Sequence, residues 1–326
     1  MTTTRSVPDR SEPGPERERS SESGKGFGLR TMTRVSMVRR CLALLVLVLL
    51  GSAATAAPIR VGSKNFSEQF IVAELYAGAL EAAGYDVERK LNIGSTFAVH
   101  DAIRAGTIDV YPEYTGTGLI TLLGEPGGGT DPDRVYDQVR TGYRDRFELE
   151  WLNRSAVNNA YVIVVRPDIA ARYGLATLSD LARVSRDLNV AVTAEFTERP
   201  DGLPGLKAAY GIEFGTIRPF AGMRLRYEAM LQGRFEVANA FATDWQITAR
   251  RLVALTDDRG VFPPYELAPV LRSAIARDAG VAAALNRVSE VLDTETMRRL
   301  NEEVELHGRP PREVAAEFLR RRGVVR

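Results

Sequence analysis

Cysteine is almost absent from this chain of 326 residues, and the single one, Cys41, lies ahead of a short apolar run near the N-terminus. That scarcity excludes an internal disulfide framework, a thiolate metal site and, beyond residue 41, a cysteine nucleophile. Histidine is nearly as scarce. His100 falls in a helical stretch with no acid or metal ligand in register and reads as a surface residue; His307 has no partner motif either. GxSxG, HExxH and CxxC are all missing. The Gly-rich GEPGGGTDPD (124–133) has neither a preceding strand nor the Lys-Ser/Thr of a phosphate loop, so it reads as a flexible loop. No metal, cofactor or catalytic set is expected. An excess of either charge is also missing: 43 Lys and Arg stand against 42 Asp and Glu, for a net charge of +1. That balance gives no footing for nucleic acid.

Long apolar runs are missing too. The longest, LALLVLVLL (42–50), is about half of what a membrane span needs. Before it, residues 1–31 are charged and rich in Ser, Pro and Gly, and cannot bury enough surface to offset their ordering entropy. They read as a disordered leader or as the product of a start codon placed too early. Residues 32–56 then have the order of a secretory signal peptide: Arg39 and Arg40, the apolar run, and small residues ending in Ala54-Thr55-Ala56, with cleavage after Ala56. The remaining chain, cysteine-free and without an anchor, is expected in the periplasm as a monomer.

From residue 58 onward, strand and helix signals alternate. IRVG (59–62), VERKL (87–91) and DVYP (109–112) read as strands, and YVIVV (161–165), NVAVT (189–193) and VANAF (237–241) as buried, parallel ones. Ser67 is placed to cap a helix running to Ala83, closed by Gly84. HDAIRAG, DGLPGLKAAYG, RLRYEAMLQG, SEVLDTETMRRLNEEV and REVAAEFLRRR carry helical patterns. The fold class is α/β with parallel-rich sheets. Two segments echo each other: HDAIRAGTIDVYPEYT (100–115) aligns with YEAMLQGRFEVANAFAT (227–243), matching Gly106 with Gly233, Asp109 with Glu236 and Tyr114 with Phe241. Two similar lobes facing a shared cleft account for that echo, with the matched strand ends as its walls.

The candidate wall residues are aromatic or basic and stand at strand ends and turns: Lys64, Tyr114, Thr117, Tyr161, Arg199, Asp201, Phe241, Thr243 and Tyr265. Ring faces attract a cation that offers no hydrogen-bond donor, while lysine and the planar guanidinium suit a carboxylate. Together they fit a small zwitterion with a quaternary ammonium at one end. Tyr76, Tyr85, Tyr111 and Tyr210 read as core or rim. The residues leave two other readings open: a cleft for a polar amino acid or polyamine, and a secreted enzyme using Asp244 or Glu113 as base.

VGSKNFSEQF, IDVYPEYTGTGL, NNAYV, EFTERPDGL, FATDW and FPPYELAPVLR, in that order from about residue 58 to the C-terminus, resemble the substrate-binding proteins of quaternary-amine ABC importers, the glycine betaine, choline and carnitine receptors. The resemblance implies a two-lobed periplasmic binding protein fold of type II, with lobe I at 58–157 and 267–326, lobe II at 158–266, and the ligand between them. It implies an aromatic cage of Tyr114, Tyr161, Phe241 and Tyr265, a carboxylate clamp of Lys64, Thr117 and Arg199, and a membrane permease and ATPase as partners. Two positions depart from the family pattern. Phe241 stands where tyrosine is common, and Asn159 stands where some members carry an acid that assists the cation, so a dipole replaces a charge there.

Overall fold

The computed structural model describes residues 57–125, 129, 131–220 and 223–325. The leader, the signal peptide, Cys41 and part of the 124–133 loop lie outside the described residues. Among the described residues, ten strands make two five-stranded sheets. The first contains β1 (Ile59–Lys64), β2 (Val87–Gly94), β3 (Val110–Tyr114), β4 (Leu149–Trp151) and β10 (Leu267–Arg272), in the order β2-β1-β3-β10-β4. The second contains β5 (Tyr161–Val165), β6 (Asn189–Thr193), β7 (Thr216–Phe220), β8 (Val237–Phe241) and β9 (Val253–Leu255), in the order β7-β6-β8-β5-β9. The chain therefore builds most of one sheet, passes to the second, and returns for β10.

The two sheets share one plan. β1 and β6 each pair in parallel with two neighbours, and β10 and β5 each run antiparallel to both of theirs. YVIVV is thus antiparallel to its neighbours, contrary to the parallel reading. A continuous apolar run reports burial on both faces but not direction. The internal echo has a physical basis. Gly106 and Gly233 end their helices at φ +69° and +76°, the left-handed region open to glycine. Shortly after them, Asp109 and Glu236 each accept the backbone N–H of the adjoining strand: Arg60 at 2.9 Å and Asn189 at 2.8 Å. Pro112 and Pro269 face one another across β3 and β10, so both missing donors fall on the same rung.

The helices needed here are α1 (Ser67–Ala82), α2 (Thr96–Arg104), α3 (Met223–Leu231) and α4 (Thr294–Glu305). Phe66 holds the cap position of α1 without a side-chain bond, so Ser67 is its first helical residue rather than its cap. α2 begins ahead of His100 at Thr96, capped by Ser95. The stretch read as one helix over SEVLDTETMRRLNEEV breaks at Leu292, where Asp293 caps α4 through the N–H of Thr296 at 2.6 Å. His100 is buried, not on the surface; it meets Tyr143 and Phe147 edge-on, and burial and the Arg104 charge lower its pKa. Each sheet has apolar cores on its own faces. No helix among the described residues is long and apolar enough to cross a membrane.

Candidate functional site

A cavity of about 870 Å³ is lined by strand ends and turns of both sheets. Lys64, Tyr114, Thr117, Asn159, Tyr161, Arg199, Phe241 and Tyr265 all line it, drawn from segments as far apart as β1 and the approach to β10. Asp244 and Thr243 line it as well, while Asp201 stands behind Arg199. No group of residues able to hold a metal occurs among the described residues.

Tyr161 is in contact with two of the other rings. Tyr161 and Phe241 face each other across the β5–β8 ladder and lie nearly parallel, with centroids 4.9 Å apart at 27°. A cation cannot enter between rings that close; it must rest on their outer faces or edges. Tyr265 meets Tyr161 at 6.1 Å and 72°, forming a corner. That corner already holds a cation, the Arg199 guanidinium, 5.6 Å from the Tyr161 centroid and 6.0 Å from that of Tyr265. Arg199 is pinned there by both carboxylate oxygens of Asp201, at 2.9 and 3.1 Å, and donates to the Tyr265 hydroxyl at 2.7 Å. The Tyr265 hydroxyl donates in turn to Asp201. Gly116 makes this packing possible, because a Cβ there would come within 2.8 Å of the Tyr265 ring atoms. Phe241 has a cation of its own: Arg226, fully buried, sits 5.8 Å from the ring centroid and donates to Asn239 O and Asp244 Oδ2.

Tyr114 stands apart from that cluster and is organised by an acid. Its hydroxyl donates to Glu68 Oε1 at 2.6 Å, and Asn159 Nδ2 donates to the same oxygen at 2.9 Å. Asn301 Nδ2 reaches Glu68 Oε2 at 2.6 Å, and Thr243 Oγ1 closes the network on Asn159 Oδ1 at 2.8 Å. Burial pushes the Glu68 carboxyl up, against the hydrogen bond from Tyr114 and others. The missing acid at Asn159 is therefore present one bond further on. Lys64 is less available than a surface cation: its ammonium is 2.5 Å from Glu113 Oε1, both side chains buried. Its remaining two N–H donors and the Arg199 Nη1, which reaches Thr121 Oγ1 at 3.2 Å, are what the basic residues offer a ligand anion.

Glu68, Asn301 and Glu305 were not among the sequence-derived candidates. Asn301 and Glu305 come from α4, and Asn301 lies 233 positions along the chain from Glu68. The one signal that could have singled out Asn301 is a polar residue on the stripe that buries Met297 and Leu300.

Residues 57–321 match the family described as the substrate binding domain of ABC-type glycine betaine transport systems. The glycine betaine-binding protein YehZ of Escherichia coli is 32% identical over 279 residues, 82% of this chain and 92% of that one. The carnitine transport binding protein OpuCC of Listeria monocytogenes is 33% identical over 267 residues, 81% and 86% of the two chains. A solved structure described as a glycine betaine/carnitine/choline ABC transporter superposes with a TM-score of 0.72 at 29% identity, over 82% of this chain and 99% of that one. The chain has the two-lobed α/β fold of periplasmic binding proteins and belongs to the family of substrate-binding domains of ABC-type glycine betaine transport systems.

Proposed function

We propose that the protein captures a quaternary-ammonium zwitterion in this cavity and hands it to a membrane permease and its ATPase. The observation that carries the reading is convergence: Tyr114, Tyr161, Phe241 and Tyr265, from four separate segments, line one cavity together with Lys64, Arg199 and the buried Glu68. The ammonium rests on the outer faces of Tyr161 and Phe241 and against Tyr114, with Glu68 behind it. The carboxylate takes Arg199 Nη1, Thr117 and the free donors of Lys64. Lobe I (58–157 and 267–326) and lobe II (158–266) close on the solute by a hinge motion, and the transporter reads the closed population. The chain acts as a periplasmic monomer after removal of residues 1–56, and binds without turnover.

Calorimetric titration of the purified protein with glycine betaine, choline, carnitine, proline betaine and ectoine tests this. At least one trimethylammonium solute binds, and Tyr161→Ala weakens it about tenfold, the worth of one desolvated cation–ring contact. Arg199→Ala weakens glycine betaine more than choline, which has no carboxylate. Silence across the whole panel, or equal losses for both solutes in the arginine variant, contradicts the reading.

A further inference from the structure

A buried acceptor in the cavity wall has nothing to accept. Asn301 and Glu305 stand one helical turn apart on α4 and so share a face; beside them are Glu68 from α1 and Asp244 from the turn after β8. Trp245 Nε1 donates to Glu305 Oε2 at 3.0 Å. Asp244 Oδ2 receives Arg226, Tyr227 and the N–H of Phe241. Asn301 Nδ2 donates to both Glu68 and Thr243 O, which fixes its amide orientation. These bonds leave Asn301 Oδ1 buried with no donor among the described residues, while Glu305 and Asp244 make the bonds above through one carboxylate oxygen each, Oε2 and Oδ2. Asn301 is only 4% exposed, and an orphaned buried acceptor costs about 1–3 kcal/mol unless something fills it.

The missing donor has a definable chemistry. Glycine betaine has no N–H and can donate to none of these oxygens. It is also compact, whereas about 870 Å³ lies in the range that encloses drug-sized ligands. Asp244 is paired with Arg226, but Glu68 and Glu305 have no cationic partner among the described residues, and burial raises Glu305 while the charges of Asp244 and Glu68 raise it further. We propose that this wall is a subsite for a hydrogen-bond-donating cationic arm, so that the preferred solute is an extended betaine bearing a second, N–H-carrying cation. A primary ammonium, with three donors, is the simplest such arm. The inference rests on the quaternary-amine reading above and narrows it.

Three probes with the same trimethylammonium and carboxylate ends test it by calorimetry on the purified protein. Nα,Nα,Nα-trimethyllysine carries an ammonium arm, Nα,Nα,Nα-trimethylnorleucine an arm without it, and the fully methylated lysine a charged arm without N–H. The ammonium probe is expected to bind at least tenfold more tightly than either other. That ratio is expected to fall below threefold in Glu305→Gln, at the rim, and in Asn301→Leu, with thermal melts verifying folding. Equal affinity for the three probes, or a preference unchanged in both variants, overturns the subsite while leaving the betaine reading in place. No binding of any probe or of glycine betaine overturns both.

Discussion

At the scale of single residues, Gly116 and Tyr265 show how tightly the aromatic corner is defined. The glycine allows the ring to lie against the backbone, and the ring's hydroxyl then meets Asp201 and Arg199. A methyl group on residue 116 would sit 2.8 Å from three ring atoms, and Tyr265 cannot yield without losing its bonds to Arg199 and Asp201. Gly116→Ala is therefore expected to destabilise the protein by about 1–3 kcal/mol through overpacking, and to weaken ligand binding at the same time. A thermal melt paired with a titration checks this; a variant with unchanged melting temperature and affinity would mean the ring moves aside freely. The same scale explains what could be read early and what could not. Tyr114, Tyr161, Phe241 and Tyr265 share a chemical character visible in the chain. That Arg199 already occupies the Tyr161–Tyr265 corner depends on where Asp201 holds it.

At the scale of elements, the acids that open β3 and β8 link each strand to its neighbour. Asp109 does most, bonding Arg60 through backbone and side chain, with Nη2 at 2.8 Å, and reaching Arg272 at the end of β10 at 3.2 Å. Burial alone would raise its pKa, but the Arg60 bonds and Arg272 outweigh burial and hold it below the ordinary aspartate value. A lowered folded-state pKa means the stability is present above the ordinary aspartate range and is lost as pH falls through the folded value. Asp109→Asn is expected to remove about 2 kcal/mol at neutral pH and to flatten the acid side of the stability curve. Urea melts from about pH 7 down to about pH 3, spanning the aspartate range, check both parts; a parallel downward shift at every pH would assign the loss to packing. Element existence was legible because the strands are short apolar runs bounded by turns: YVIVV, NVAVT and VANAF coincide with β5, β6 and β8. Direction was not, because β5 acquires its antiparallel neighbours, β8 and β9, only when the second sheet assembles. The break at Leu292 was missed because helical periodicity resumes at once after Asp293.

At the scale of the whole molecule, the cavity is shaped by bonds that pass from one sheet's elements to the other's. Arg298 of α4 donates to Ala242 O at 2.7 Å and Trp245 to Glu305 at 3.0 Å, beside the Thr243–Asn159–Glu68 network. A separate contact runs from Arg199 Nη1 to Thr121 Oγ1, in the π turn (Gly118–Leu122) that comes after β3. Closure of the proposed lobes must make this contact, and opening must break it. Arg199 keeps Asp201, two residues along the same turn, either way, whereas Thr121 meets it only across the cleft, so removing the Thr121 acceptor reports on closure. Thr121→Val keeps the side-chain shape and deletes the acceptor, a change worth about 1 kcal/mol, or roughly fivefold in the closed-to-open ratio. The ligand-free variant is expected to show a larger radius of gyration in solution scattering than the parent, and an apparent affinity lower by up to about fivefold, because the binding-competent fraction falls. Saturating ligand should restore the parent's scattering curve. A variant whose ligand-free curve matches the parent while its affinity drops would place Thr121 in contact with the solute rather than in the closure equilibrium, since a direct contact changes affinity without changing the empty protein's shape.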